Sequence, residues 1–172
     1  ALMRERTPRP ATGNPVSVAC TELMDKTGAS FPEAHLDPFK MAELALAGHT
    51  MLGFDNVMPL FSVVHESAAL GVNINWGQKD IMPSVKGIFY YEPEEIVNSD
   101  AFLDSPHAKT PVNAIRMLKN DLHDAACVTG KVFGPWTLAY NTFGIENFLI
   151  CTCIDQSKTK KILDRLKIIT VR

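Results

Sequence analysis

The chain has 172 residues, of which 46% are apolar, 8% aromatic and 21% charged. This composition is typical of one soluble globular domain and excludes an intrinsically disordered protein, while the net charge of −2 offers no basic excess for binding nucleic acid. No apolar run approaches the roughly 20 residues that cross a bilayer, and the first ten residues lack the apolar centre of a signal peptide, so we expect a cytoplasmic protein.

The first half of the chain predicts alternating strands and helices. Residues 15–20 form an apolar run short enough for a buried parallel strand. A helix follows, with Asp37 as its capping residue, Pro38 at its first position and Gly53 as its stop. Residues 54–60 are the next predicted strand, so the pattern is that of βα units.

An excursion from this pattern follows the second predicted strand. Val72, Ile74 and Trp76 alternate with polar residues, which indicates a short exposed strand or hairpin. Residues 80–104 carry prolines and glycines among acidic residues. We therefore expect an irregular crossing segment there, with at most one short helix.

The second half of the chain returns to regular elements. Thr110 is expected to cap a helix that has Pro111 at its first position. The residues of this helix expected to face inward are Ile115, Leu118, Leu122 and Ala125. Residues 126–133 follow as a third strand, then a short apolar helix through Phe148 and Ile150, and a last helix from Gln156 to the end.

The four cysteines are too few for a disulfide scaffold, so reduced thiols are expected. Cys20 and Cys127 lie in apolar, strand-like runs. Cys151 and Cys153 are the only close pair, and we interpret them as small packed apolar side chains rather than as a zinc or redox site.

Three βα units indicate the beginning of a larger α/β structure, because a closed eight-stranded barrel typically takes about 250 residues. The helical pattern is still running at Thr170, so we interpret residues 1–172 as one truncated, partial barrel domain. An open half barrel leaves sheet edges and apolar surface uncovered. We therefore expect either self-association or a missing C-terminal half.

Four segments resemble the uroporphyrinogen decarboxylase superfamily. They are Arg9-Pro10 before the first predicted strand, ELMDKTGASFPEAH at 22–35, ESAALG at 66–71 and KVFGPWTLAYNTFGIENF at 131–148. The resemblance implies the N-terminal part of a (β/α)8 TIM barrel, about half of the family's length, with its pocket at the carboxyl ends of the strands.

The resemblance is closer to one branch of this superfamily than to the decarboxylases. The decarboxylases' motif MRQAGRYLPE aligns with residues 24–33, and its two arginines fall on Asp25 and Ala29. Their FSD motif aligns with Phe61-Ser62-Val63, so the aliphatic side chain of Val63 stands where the decarboxylases have an aspartate. Because gripping a polycarboxylate requires fixed guanidinium groups, the residues favour the methylcobamide:coenzyme M methyltransferase branch.

This branch implies transfer of a methyl group from a methylated corrinoid carrier protein to a small thiol such as coenzyme M, with zinc holding the thiol as a thiolate. The family's zinc ligands are a His-x-Cys pair and a distant cysteine. No His-x-Cys occurs in this chain, so the expected zinc ligands are not present. Two alternatives stay open: a uroporphyrinogen-decarboxylase-like lyase, and an inactive truncated remnant that acts as a binding module.

Two candidate pocket residues come from the first motif. Glu22 either faces the pocket or accepts hydrogen bonds from the turn that follows the first strand. Glu33 and His35, in the sequence PEAH, either position a substrate or join a local ion pair. No catalytic residue is assigned, and Glu22 and His35 are predicted to line the pocket.

Three further candidates come from the later motifs. Glu66 is predicted to line the pocket, and its neighbour His65 could serve with it as an acid–base pair if both are buried. Tyr140 and Asn141 follow the Gly-Pro turn and are predicted pocket residues, whereas Trp136 is expected in the core. The opposing interpretation for each is an ordinary packing role.

Overall fold

The computed structural model describes residues 9–97 and 101–171, which form a mixed α/β structure that is mostly helical. The described part of the chain shows no barrel. None of its helices is both long and apolar enough to cross a bilayer. In chain order the elements are α1 (Thr21–Thr27), α2 (Glu33–Leu36), α3 (Pro38–Thr50), β1 (Asn56–Val57), α4 (His65–Ala69), β2 (Ile74–Asn75), β3 (Ser84–Val85), a 3-10 helix (Pro93–Glu95), α5 (Ala101–Asp104), α6 (Pro106–Leu122), β4 (Cys127–Val128), α7 (Pro135–Phe143), α8 (Ile145–Ile154) and α9 (Gln156–Thr170).

The described residues form two compact units, each built from separate stretches of the chain. Unit 1 contains residues 9–61 and 110–131, and unit 2 contains residues 62–97, 101–109 and 132–171. Each unit has its own apolar core. The two units are therefore described separately below.

Helix α3 is the centre of unit 1 and begins where the sequence predicts. The Asp37 carboxylate accepts a hydrogen bond from the Phe39 N–H at 2.8 Å, and Pro38 occupies the first helical position. Met41 and Leu44 are fully buried on its inner face. The predicted helix is confirmed because its start signals are local and its apolar spacing is regular.

The first motif is more helical than expected. Residues that were expected to form a loop after the first strand instead form α1, which ends at Gly28. Gly28 has a φ of +72°, and its N–H donates to the Met24 carbonyl at 2.9 Å. A glycine in this left-handed conformation is a usual C-terminal cap, and it explains why α1 stops there.

The predicted strands of unit 1 are much shorter than expected or absent. Residues 15–20 form no strand, 54–60 reduce to β1, and 126–133 reduce to β4. The β1 and β4 strands pair in parallel, with Asn56 opposite Cys127. The segment at Asn14 is joined to β1 by a side chain and not by backbone pairing. The Asn56 side-chain amide makes two hydrogen bonds with the backbone of Asn14, both at 2.8 Å.

Helix α6 begins earlier than predicted, at Pro106 rather than after Thr110. Ser105 supplies the cap, because its carbonyl accepts from the Lys109 N–H and its hydroxyl from the His107 N–H. Pro111 consequently lies inside the helix. Of the four residues predicted to face inward, Leu118 and Leu122 are buried, Ile115 is half-buried and Ala125 is exposed beyond the helix end.

In unit 2 the predicted hairpin is confirmed as the antiparallel pair β2 and β3. The segment 80–104 is more regular than expected, since it contains β3, a 3-10 helix and α5. Glu92 and Glu95 stabilise the 3-10 helix through a reciprocal capping box. Paired capping residues explain the extra turn in a segment that is rich in proline and glycine.

The C-terminal helices form the core of unit 2. The single short apolar helix expected through Phe148 and Ile150 is two helices, α7 and α8, separated by Gly144 with a φ of +79°. Helix α9 is confirmed from Gln156, and the Asp155 carboxylate caps it by accepting from the Lys158 N–H at 2.8 Å. Helices α7, α8 and α9 pack against one another.

All four cysteines are free thiols. Cys20 and Cys127 are exposed rather than buried in strands, because the strands around them are absent or only two residues long. Cys151 is half-buried and Cys153 is exposed on α8. The interpretation of Cys151 and Cys153 as a packed pair is therefore wrong for Cys153, since only Phe148 is buried on that helix.

Candidate functional site

The five residues predicted to line a pocket fall into different units. Glu22 and His35 belong to unit 1, whereas Glu66, Tyr140 and Asn141 belong to unit 2. Their roles in a pocket stay predictions.

Glu22 is exposed in the first turn of α1. Its pKa lies below the usual value, first because its carboxylate accepts from its own backbone N–H and then because of side-chain hydrogen bonds with Cys20 and Thr21. The Thr21 hydroxyl donates to it at 3.3 Å. These contacts are all local to the start of α1, where a carboxylate is favourable.

His35 is completely buried on α2. Its ring stacks on Phe31 with a centroid separation of 4.0 Å and an interplanar angle of 15°. The ring of Phe61 meets both of them edge-on, at 5.5 Å from Phe31 and 6.5 Å from His35. His35 therefore behaves as an aromatic member of the core of unit 1, whereas its neighbour Glu33 is exposed.

In unit 2 the helices α4 and α7 contact each other and bring later candidates together. Glu66 lies in the first turn of α4, and its Oε1 accepts a hydrogen bond from the Phe133 N–H at 3.1 Å. Asn141 lies on α7, and its Nδ2 donates to the Val63 carbonyl at 3.0 Å. These two hydrogen bonds join segments that are 67 and 78 residues apart in the chain.

Trp136 and Tyr140, two further residues of this region, also lie on α7. The Trp136 Nε1–H donates to the Tyr140 hydroxyl at 2.6 Å, and both rings pack edge-on against Phe148. Trp136 is 43% exposed, so its expected place in the core is wrong. We call Val63, Glu66, Trp136, Tyr140 and Asn141 the α4–α7 site.

A second contact in this region was missed in the sequence. The Ser62 hydroxyl and the His65 Nδ1 lie 2.7 Å apart, and both residues are buried. The His65 ring packs edge-on against Trp76, and Trp76 in turn stacks on His107. Burial of His107 lowers its pKa. A serine three residues before a histidine at a helix start is the signal that could have indicated this hydrogen bond.

Two hydrogen bonds involve Val63 and its neighbour: the Ser62 side chain bonds His65, and the Val63 carbonyl accepts from the Asn141 amide. The Val63 side chain is 46% exposed, between the buried residues Ser62 and Val64. The α4–α7 site thus carries an exposed aliphatic side chain on the residue whose carbonyl is held by Asn141.

The described residues do not fit a zinc site. Within residues 9–97 and 101–171, no three His, Cys, Asp or Glu side chains are placed to hold a metal ion. Structural and catalytic zinc sites need at least three such ligands.

The positions that match the decarboxylase arginines also differ chemically from a polycarboxylate clamp. Asp25 is exposed on α1, and Ala29 is completely buried in the core of unit 1. The arginines that the structure describes are bound elsewhere: Arg9 pairs with Asp55, Arg116 donates to Asn113, and Arg165 donates to the Ile96 carbonyl.

Comparison with known proteins agrees with the motifs. A family model described as uroporphyrinogen decarboxylase (URO-D) matches residues 2–172. A methylated-thiol–coenzyme M methyltransferase of Methanosarcina mazei is 30% identical over 151 residues, which cover 88% of this chain. A methylcobamide:CoM methyltransferase of the same organism is 34% identical over 124 residues, or 72% of this chain.

A solved structure gives the same result. A methyltransferase from Methanosarcina mazei superposes with a TM-score of 0.87 at 26% sequence identity, over 94% of this chain and 48% of its own. This chain spans 41% and 37% of the lengths of the two curated relatives. It therefore matches less than half of each of these proteins.

Proposed function

Because the chain belongs to the uroporphyrinogen decarboxylase family, we propose that it forms part of a corrinoid-dependent methyltransferase. The proposed reaction moves a methyl group from a methylated corrinoid protein to a small thiol such as coenzyme M. The similarity to curated methylcobamide:CoM methyltransferases, which extends over most of this chain, carries the proposal.

The side chains support this reaction over decarboxylation of a porphyrinogen. A macrocycle with many carboxylates requires fixed cations, and bidentate arginines are the usual choice. Asp25 and Ala29 offer an acid and a buried methyl group where the decarboxylases carry arginines. Val63 replaces the decarboxylase aspartate with an exposed aliphatic group, which suits contact with the apolar methyl group that the donor carries.

The proposed architecture is the N-terminal part of a (β/α)8 barrel, of about half the family's length. The high structural similarity to one half of a solved methyltransferase supports this proposal, as does the parallel pairing of β1 with β4. We place the zinc ligands in the portion of the relatives that this chain does not span.

Within the α4–α7 site we assign Glu66 a positioning role. The nucleophile in methyl transfer to sulfur is a thiolate and not a thiol. A carboxylate near the acceptor thiol would raise the pKa of that thiol and so disfavour the thiolate, which is why we do not make Glu66 the base. One oxygen of Glu66 accepts from the Phe133 N–H, just before the Gly134-Pro135 turn that starts α7. Glu66 would thereby fix the start of α7, and Asn141 would fix Val63.

A chimera tests this proposal. In it, this chain replaces the matched region of the Methanosarcina mazei methylated-thiol–coenzyme M methyltransferase. With methylcobalamin and coenzyme M, we expect thiol methylation above the no-protein rate. A chimera that folds as the parent does, yet methylates no thiol under conditions in which the parent does, contradicts the proposal.

Two variants of the chimera separate the roles in the site. Val63→Asp should lower the rate, because an added carboxylate opposes the thiolate, and raising the pH should recover part of that loss. Val63→Leu is the matched control and should keep most of the rate. If both variants lose the same fraction of the methylation rate, Val63 does not line the pocket.

A further inference from the structure

A cavity of about 460 Å³ lies in unit 2, apart from the α4–α7 site. Phe143, Phe148 and Ile162, all almost completely buried, form part of its walls. Ile150 and Ile154 on α8 complete the apolar lining, with exposed fractions of 49% and 79%. Small-molecule sites are typically concave, mostly apolar and of about 300–1,000 Å³, and this cavity has those properties.

The charged groups at this cavity are already paired within the chain. The Lys158 Nζ lies 2.8 Å from Glu92 Oε1, and the Asp155 carboxylate accepts from the Lys158 N–H at 2.8 Å. Because each charge has a partner, an ionic ligand would have to compete with an existing contact. A neutral ligand avoids that cost.

The walls favour a flat ring. The rings of Tyr90 and Phe143 lie 5.7 Å apart and tilted at 50°, and Phe148 adds a third ring to the lining. Aromatic rings prefer edge-to-face or offset contacts with other rings. Tyr90 also brings a phenol whose pKa is raised, first by burial and then by Glu95, so it stays a neutral hydrogen-bonding group.

From these contacts we propose that the cavity binds a neutral small molecule with a flat aromatic body. Its ring would lie against Phe143 and Phe148, and a single polar group would meet Tyr90 or the paired rim residues. The site is separate from the proposed methyl transfer and does not rest on it.

Titration with N-phenyl-1-naphthylamine, a neutral aromatic probe that fluoresces in apolar surroundings, tests the proposal. The double variant Ile150→Ala and Ile154→Ala removes lining side chains that are exposed, so the fold should persist. We expect its Kd for the probe to rise about tenfold from the lost apolar contact.

The matched control is Ile145→Ala with Leu149→Ala. These residues lie on the same helix with exposed fractions of 60% and 43%, but they do not line the cavity. The control should keep its Kd within about twofold. If both double variants weaken binding equally, or neither does, the probe adsorbs on apolar surface and the proposal fails.

The charge of the ligand is tested with 1-anilinonaphthalene-8-sulfonate, an anion of similar size. We expect the anion to bind more weakly than the neutral probe. The surface control Lys160→Gln should leave the Kd of the anion unchanged. If the anion binds more tightly than the neutral probe, and Lys158→Gln abolishes that binding, the cavity is an anion site and the assignment of a neutral ligand is wrong.

Labelling of Cys151 gives a second, independent measurement. Cys151 lines the cavity, whereas Cys153 is exposed two residues further along α8 and does not. In a chain with Cys20 and Cys127 changed to Ser, the neutral probe should slow maleimide labelling of Cys151 and leave Cys153 unaffected. Equal protection, or none, contradicts binding in this cavity.

Discussion

Among single side chains, Asp55 has the clearest electrostatic role. Both oxygens of its carboxylate pair with the Arg9 guanidinium, at 2.6 and 2.7 Å, and one of them also accepts from the Thr12 N–H at 2.7 Å. Its pKa falls from 3.8 to about 2, first because of the hydrogen bonds from Arg9 and then because of that from Thr12. The contact anchors the segment before α1 to the chain entering β1.

This shift predicts a pH-dependent contribution to stability. Because the pKa is lower in the folded state than in the unfolded state, the stabilisation is complete above pH 3.8 and is lost as the pH falls through about 2. Asp55→Asn should lower the melting temperature at pH 7, and its deficit should shrink between pH 4 and pH 2. Melts of Asp121→Asn, an exposed change on α6, provide the control, and a constant deficit down to pH 2 would refute this reading.

Two buried serines on the α4 segment offer a matched comparison. Ser62 hydrogen-bonds His65, whereas the Ser67 hydroxyl has no hydrogen-bond partner among the described residues. Ser62→Ala should destabilise unit 2 by about 1–3 kcal/mol, because it removes a buried hydrogen bond. Ser67→Ala should cost nothing or stabilise, since it removes an unsatisfied polar group.

Urea denaturation of the two serine variants measures this difference directly. Equal losses of unfolding free energy would show that the 2.7 Å contact contributes nothing. A near-UV spectrum that changes only in Ser62→Ala would further tie the loss to the packing of His65 on Trp76.

Among the helices, α6 contains a residue that its geometry disfavours. Pro111 lies inside the helix, where proline removes a backbone hydrogen bond and crowds the preceding turn. Pro111→Ala should therefore raise the free energy of unfolding by about 1–2 kcal/mol, after allowing for the greater freedom of the unfolded chain. Pro106→Ala, at the first helical position, is the control and should give no gain. A gain in both would contradict the helix start at Pro106.

The junction between α7 and α8 depends on Gly144. Its φ of +79° and ψ of 136° suit glycine, and an added Cβ would lie 3.1 Å from the Ile88 Cγ1. Gly144→Ala should cost about 2–3 kcal/mol, since backbone strain and crowding add. Gly53→Ala, with φ +73° and open space around the new Cβ, should cost about 1 kcal/mol. If thermal melts show equal losses of stability in Gly144→Ala and Gly53→Ala, crowding against Ile88 contributes nothing.

Helices were more predictable from the sequence than strands, for a physical reason. The starts of α3 and α9 are set by Asp37 and Asp155, which act on residues two or three positions away. A strand instead requires a distant partner, and the apolar runs gave no information about pairing. Only Asn56–Val57 and Cys127–Val128 found such partners among the three predicted strands.

The same reason limits what could be predicted about the site. The motifs drew attention to Glu66 and Asn141, whose roles in a pocket stay predictions, and their contacts with Phe133 and Val63 cross 67 and 78 residues. The hydrogen bond between Ser62 and His65 is local, and its burial depends on Trp76 and other distant residues. Spacing along a chain gives no information about such contacts.

The chain as a whole belongs to the uroporphyrinogen decarboxylase family, because the family model matches residues 2–172. The relatives are more than twice as long as the region they share with this chain. Activity is therefore best tested where the remaining portion is supplied, as in the chimera with the Methanosarcina mazei protein.

The most direct test gives that chimera two alternative substrates under identical conditions and measures both products. One reaction contains methylcobalamin with coenzyme M, and the other contains uroporphyrinogen. We expect methylated coenzyme M from the first and no release of carbon dioxide from the second. Release of carbon dioxide without methylation of coenzyme M would contradict the assignment to corrinoid-dependent methyl transfer.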